Sequence, residues 1–255
     1  MAIIALRAWY LEKYEPLETL KERPHDLRLS KNSLLKMGLR ADFLEEREQI
    51  ERATWFQRYL TGETIEFYIE GSGSYAISNI DLSSHEIYFT KFDGLAHLDP
   101  LIYLCHQTHF EASSQALGEN LDEFARTFNR SARLPVRVVQ ANRSEEYALR
   151  LNRRTLDDIR KSLLFVADIT PLGVVGGDPP QLLPSPNVCV EIGYAIQCKR
   201  PEQIVLAYMR RPNFSGQFPF DLPTYQQLEF ENSGALPRLL PPAIEAMLQR
   251  FNLKG

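Results

Sequence analysis

Leu163-Leu164-Phe165-Val166-Ala167-Asp168-Ile169-Thr170 is the stretch that decides the fold of this chain. Its apolar run, Leu163 through Ala167, has no polar alternation and is far too short to span a membrane. It therefore reads as a strand buried on both faces. Upstream, Val136-Arg137-Val138-Val139-Gln140 reads as a strand, and residues 144–162 as a helix with Tyr147, Leu151 and Ile159 on one side. Downstream come a Pro- and Gly-rich loop over 171–186 and a helix over 188–198. The strand Gln203-Ile204-Val205-Leu206-Ala207-Tyr208-Met209 and a closing helix over 242–251 follow. Apolar strands separated by helices predict an α/β domain, an open parallel sheet with helices on both faces.

The N-terminal side has a different period. Residues 3–9 suggest a strand, 15–20 a helical turn, and 26–33 are polar and basic with no clear pattern. Residues 41–60 are expected as one helix, with Phe43, Ile50, Thr54 and Leu60 approximating a stripe. Residues 64–70, 75–80 and 85–90 alternate as three strands of an antiparallel meander, turned at Gly71-Ser72-Gly73-Ser74. Those glycines lack the following helix and Lys-Ser/Thr of a phosphate loop, so the hairpin is preferred. Residues 98–129 are expected to be mostly helical, with Leu121, Phe124, Ala125 and Phe128 as the apolar stripe. The expected division is an α+β region over 1–95, a helical connector over 96–133, and the α/β domain over 134–255.

The chain has 255 residues, 44% hydrophobic and 24% charged, with a net charge of −4. That balance suits a folded protein and lacks the basic footprint of a general nucleic-acid binder. The basic clusters at 150–154 and 210–211 are short and offset by acids. Cys105, Cys189 and Cys198 are too few and too widely spaced for a disulfide framework or zinc ribbon. His106 and His109 could share a helix face, but only Glu111 is near enough to complete a metal set, so no metal site is expected. The opening apolar run is too short for a signal-peptide core and no run is long enough for a membrane helix, so a cytoplasmic protein is expected.

Open parallel sheets bind ligands beyond the carboxyl ends of their strands. The expected strands end at Gln140, Asn142 and Arg143, at Asp168 and Thr170, and at Arg210 and Arg211 ahead of Asp221. Asn187 is expected to cap the helix after Pro186, which puts Glu191 in its first turn, where the helix dipole favours a carboxylate. Val188, Ile192, Ala195 and Ile196 form the expected packed face, Gly193 lets the helix approach the sheet, and Glu191 is expected to point toward Asp168. Two neighbouring carboxylates, one of them sheltered, suit the stabilisation or capture of a sugar cation.

The runs Phe165-Val166-Ala167-Asp168-Ile169-Thr170, Pro186-Asn187-Val188 with Glu191-Ile192-Gly193-Tyr194-Ala195, Ile204-Val205-Leu206 and Pro219-Phe220-Asp221-Leu222 carry a resemblance. Over roughly residues 134–252 the chain resembles bacterial TIR-like proteins related to nucleoside 2-deoxyribosyltransferases. The resemblance implies a flavodoxin/TIR-like sheet, with Glu191 attacking or stabilising the ribose carbon of an N-glycosidic bond. Asp168 would lie in the nucleoside pocket, joined as substrate-binding residues by Asn187, Gln140, Asn142, Arg143, Thr170, Tyr194 and Asp221. Gln140-Ala141-Asn142-Arg143 stands where those transferases carry a glycine-rich or aromatic loop, and the 171–184 loop is longer than theirs. The expected function is cleavage or transfer at the N-glycosidic bond of a nucleoside, nucleotide or NAD-like molecule, without metal or cofactor. The alternative is a nucleotide-binding sensor or interaction module on the same fold, its N-terminal region facing a protein partner. Self-association is compatible with either.

Overall fold

The computed structural model describes residues 5–35, 38–91, 97–143, 152–219 and 227–254. The chain divides into two compact units, Met1–Leu98 and Asp99–Gly255.

The first unit is a closed antiparallel barrel of six strands in the order β1-β2-β3-β6-β5-β4. They are β1 (Ala5–Tyr10), β2 (Leu27–Leu35), β3 (Gly38–Phe43), β4 (Glu66–Ile69), β5 (Gly73–Asp81) and β6 (Glu86–Lys91). Helix α1 (Leu17–Glu22) follows β1, and α2 (Arg47–Arg52) and α3 (Thr54–Leu60) follow β3. The three expected meander strands are β4, β5 and β6; the barrel adds β1, β2 and β3, which close it from β1 to β4. The single helix expected over 41–60 is instead the end of β3 and two short helices separated at an extended Ala53. The reason is a two-residue period: Leu39, Ala41 and Phe43 are buried in the barrel core while Arg40 is exposed. Leu27 and Leu29 of β2 follow the same rule around an exposed Arg28. Ile50, Trp55 and Phe56 from the helices join the same core. At the β4–β5 turn, Gly71 and Gly73 have φ of 72° and 104°, a region that side-chain-bearing residues rarely adopt.

The second unit contains a five-stranded parallel sheet in the order β13-β12-β9-β7-β8. Its elements in chain order are β7 (Asp99–Cys105), α4 (Glu111–Phe128), β8 (Arg137–Gln140), α5 (Arg153–Lys161), β9 (Ser162–Asp168), α6 (Pro186–Cys198), β12 (Ile204–Met209), β13 (Gln227–Phe230) and α7 (Leu236–Leu248). A separate two-stranded hairpin, β10 (Gly173–Val175) with β11 (Gln181–Leu183), occupies part of the segment expected as plain loop. Residues 144–151 and 220–226, including Asp221 and the first half of the helix expected over 144–162, lie outside the described residues.

Alternation along the central strands builds both layers. Leu101, Tyr103 and Cys105 of β7 and Phe165, Ala167 and Ile169 at β9 pack with Ile159 of α5 and Val188, Ile192 and Ala195 of α6. The intervening Ile102, Leu104, Leu164 and Val166 are equally buried on the opposite face, where α4 and α7 pack on β9 and on each other. The main departure from expectation is β7. The segment expected as the start of a helical connector contributes an inner strand of the sheet, hydrogen-bonded to β8 and β9. Leu101 through Cys105 are all buried, and a short unalternated apolar run needs cover on two sides, which a sheet interior provides. Most of the expected connector, from Asp99 on, thus supplies an inner strand and a covering helix of the second unit.

At the other end of β9, the buried Lys199 after α6 donates to the carbonyls of Arg160 (3.2 Å) and Ser162 (2.5 Å), where α5 passes into the strand. Burial pushes its ammonium pKa down to about 8, against a small opposing effect of Cys198.

Phe165 is fully buried and stacked on Tyr103 at 5.9 Å, so Phe165→Ala is expected to lower unfolding free energy by about 3–5 kcal/mol in a denaturant titration. For Lys199 the unfolded chain holds its proton up to the ordinary lysine value of 10.5, whereas the folded chain loses it near 8. In that window the unfolded state binds more protons, so the contribution of Lys199 to stability rises with pH. The stability of the wild type relative to Lys199→Met should therefore increase between pH 8 and 10.5, measured by denaturant titrations across that range.

Candidate functional site at the carboxyl edge of the sheet

Helix α6 begins two residues earlier than its sequence suggests. Ser185 is the cap, Pro186 takes the first helical position and Asn187 the second. An N–H at the first helical position has no acceptor within the helix, so Pro, which lacks one, starts the helix readily. Glu191 consequently lies in the second turn, and the first turn carries no acid. The helix dipole is therefore a weak part of its environment, since that effect fades beyond the first turn. Gly193 sits on the exposed side with open space where a Cβ would be, so it is no packing notch, and Ile196 is exposed, off the packed face.

Glu191 is fully buried, and both its oxygens are engaged. Arg143 Nη1 donates to Oε1 at 2.5 Å, and the Tyr103 hydroxyl donates to Oε2 at 3.3 Å. The Arg143 side chain is 5% exposed. Its Nε donates to the carbonyl of His106 at 2.9 Å, and its Nη2 lies 3.5 Å from the Cys105 sulfur. Burial raises the Tyr103 pKa, aided by the Glu191 charge, and so the hydroxyl keeps its proton as donor. Burial and Glu191 likewise push the Cys105 thiol well up. Burial alone would lower the pKa of Arg143, but Cys105, Glu191 and Tyr103 outweigh it and hold the guanidinium charged. His106 is shifted down by burial and by Arg143.

Asp168 does not join this group. Phe165, Ala167 and Ile169 face α6, so the intervening Asp168 faces the other side of the sheet, toward α4. There Ser113 and Ser114 donate to its Oδ2 at 2.5 and 2.7 Å, and the Thr170 amide donates to Oδ1 at 3.0 Å. It is fully buried and its carboxylate is enclosed by these donors. Thr170 uses its hydroxyl to accept from the Met209 amide at 2.8 Å, which ties the exit of β9 to β12. The Gln140 amide lies beside Gly118 of α4, where an added Cβ would meet it at 3.1 Å, again on the α4 side. Asn142 is exposed and Asn187 half-buried. Tyr194 is raised by burial, and it lies within electrostatic reach of Cys198 and of Arg160 and Asp157 on α5, away from Glu191. Among the expected site residues, the structure joins Glu191 to Arg143, and separates both from Asp168 and Gln140.

Several residues were not anticipated. Tyr103, Ser113 and Ser114 lie in the stretch expected to be helical. Gln107, at the exit of β7, is 2% exposed; its amide Nε2 donates to the Thr170 carbonyl at 3.0 Å, while its Oε1 is buried without a partner among the described residues. His106 Nδ1 and Ser185 Oγ are also buried without partners among the described residues. Arg211, after β12, stacks on Phe110 (4.7 Å) and Phe214 (4.4 Å) and donates to the Pro171 carbonyl at 3.0 Å. The available signal was the run Leu101 to Cys105 followed by His106-Gln107-Thr108-His109, an apolar strand with a polar exit like the one at 163–170. No group of three or more His, Cys, Asp or Glu among the described residues is placed to hold a metal. No helix among them is long and apolar enough to cross a membrane.

No protein-family model and no curated protein matches the sequence. Among solved structures, the chain is similar to a metal-soaked Flv1 flavodiiron core from Synechocystis sp. PCC6803, at 15% identity and a TM-score of 0.31. The match covers 60% of this chain and 35% of that one, and at that score it carries no argument about fold or function.

Removing one member of a buried pair strands the other, which costs far more than the pair contributes. Arg143→Met is expected to destabilise the protein by about 3–5 kcal/mol. Combining it with Glu191→Leu should recover most of that loss. A double-mutant cycle in guanidinium measures both; additive losses would show that the two side chains are independent.

Proposed function

We propose that the second unit is a binding module for a nucleoside- or nucleotide-type small molecule, seated where β7 and β9 leave the sheet. Read from the β8 edge, the strand order is 2-1-3-4-5, the flavodoxin-like arrangement, which supports the TIR-like reading of the sequence. In that arrangement ligands bind between the first and third strands, here β7 and β9, whose connections diverge. One observation carries the choice of binding over chemistry: Glu191 is fully buried, with one oxygen on Arg143 and the other on Tyr103. A nucleophile must reach the sugar carbon, and this carboxylate is fully enclosed, with its oxygens turned to Arg143 and Tyr103. Glu191 then acts as the counter-ion that holds Arg143 and the exit of β8 in place.

N-glycosidic bond cleavage by Glu191 remains the second reading. It is favoured by the Tyr103 and Arg143 donors, which are the groups that would keep a glutamate oriented at a sugar. The barrel is then the candidate partner-facing part of a sensor. The three free cysteines suit a reducing compartment such as the cytoplasm.

Thermal unfolding of the purified chain with adenosine, deoxyadenosine, adenosine monophosphate and NAD should show stabilisation by at least one of them. Chromatography of the same mixtures should show no released base or nicotinamide. Base release by the wild type that Glu191→Gln abolishes would replace binding by the glycosidase reading, and a flat response to every compound would remove both.

A further inference from the structure

The exits of β7 and β9 hold two groups with unused hydrogen-bonding capacity, both fastened to one short turn. Gln107 donates to the carbonyl of Thr170 and Arg211 to that of Pro171, consecutive residues just past β9. Thr170 O can only accept, so the Gln107 amide is fixed with its nitrogen there, and its oxygen is the atom left over. That oxygen is buried in a residue 2% exposed and has no partner among the described residues. A buried acceptor left unmatched is costly, and a donor from a bound molecule removes the cost.

Arg211 supplies the opposite need. Its guanidinium lies over the rings of Phe110 and Phe214 at 4.7 and 4.4 Å, and no carboxylate among the described residues pairs with it. The two rings hold the guanidinium in place, and its N–H groups beyond the bond to Pro171 are left for a planar or tetrahedral oxyanion. Phe110 is also the residue that caps α4, an 18-residue helix whose cap makes no side-chain hydrogen bond. The stacked guanidinium thus stands beside the amide end of a long helix, and both favour negative charge. Glu111, exposed in the first turn of α4, works against an anion there, so the attraction rests mainly on Arg211. The Asp168 carboxylate, held by the neutral donors Ser113, Ser114 and the Thr170 amide, likewise works against an anion, so the guanidinium has to outweigh both carboxylates.

We infer that the molecule bound here carries a phosphate, held by Arg211 at the start of α4, and a hydroxyl or amino group that donates to Gln107 Oε1. This rests on the small-molecule reading above and narrows its ligand from nucleosides in general to phosphorylated ones, such as a nucleoside monophosphate or a sugar phosphate.

Calorimetric titration of the full chain with adenosine, adenosine 5′-monophosphate, ribose 5-phosphate and inorganic phosphate tests this, using the wild type, Arg211→Gln and Arg211→Lys. The monophosphate should bind the wild type at least about tenfold more tightly than adenosine, as a charge-assisted contact requires. Arg211→Gln should erase that preference, while Arg211→Lys should keep part of it. Equal affinity for adenosine and its monophosphate would overturn the phosphate site and leave nucleoside binding standing, as would a preference that survives Arg211→Gln. Binding of ribose 5-phosphate or inorganic phosphate through Arg211 without any nucleoside binding would uphold the phosphate site and remove the nucleoside reading. No binding by any of the four would overturn both.

Discussion

Strands β7 and β9 are covered on both faces, and the alternation along them decides which groups at the carboxyl edge can meet. Odd-numbered positions from Leu101 to Cys105 and from Phe165 to Ile169 belong to the layer under α5 and α6. Asp168 is therefore assigned to the α4 side by the same parity that assigns Tyr103 to the α6 side. Each buried charge had to find its partners within its own layer. Glu191 found Arg143 and Tyr103; Asp168 found two serines and a backbone amide. A sheet interior offers no third possibility, since an unpartnered carboxylate there would be strongly destabilising.

The two carboxylates are satisfied in different ways. Glu191 has a full countercharge, and the gain from that pairing competes with the cost of taking two ions out of water. Asp168 is held by neutral donors that also fix the loops around it, since the Ser114 hydroxyl that donates to it accepts from the Gln107 amide. The first arrangement secures the segment after β8. The second joins α4 to the exits of β7 and β9.

The layers of the sheet were legible wherever an apolar run stood alone. Residues 163–167 and 204–209 announce buried strands because nothing polar interrupts them. Residues 101–105 have the same character, but they precede a strong amphipathic helix, and a short apolar run cannot be told from a helical segment by period alone. The barrel strands β2 and β3 were hidden because their outward residues, Arg28 and Arg40 among them, make the segments look polar and irregular. Glu191 and Arg143 could be placed at the sheet edge from their positions after apolar runs. Which side Asp168 would face could not, because parity has meaning only once it is known which helix covers which face. Arg210 and Arg211 read as one short basic cluster. Only the tertiary contacts separate them: Arg210 bridges to Glu229, and Arg211 lies against two rings.

The link between His106 and Gln107 is gripped from both layers. The His106 carbonyl accepts from Arg143 beneath α6, and the Gln107 amide donates to the Ser114 hydroxyl of α4. This one peptide unit works as a keystone between two otherwise separate polar assemblies. Its conformational freedom was surrendered when the chain folded, so a guest seated beside it meets a frame that is already rigid. The same rigidity makes the edge unforgiving: a guest of the wrong shape cannot be met halfway by shifting one side, because any displacement of the keystone disturbs the hydrogen bonds of both.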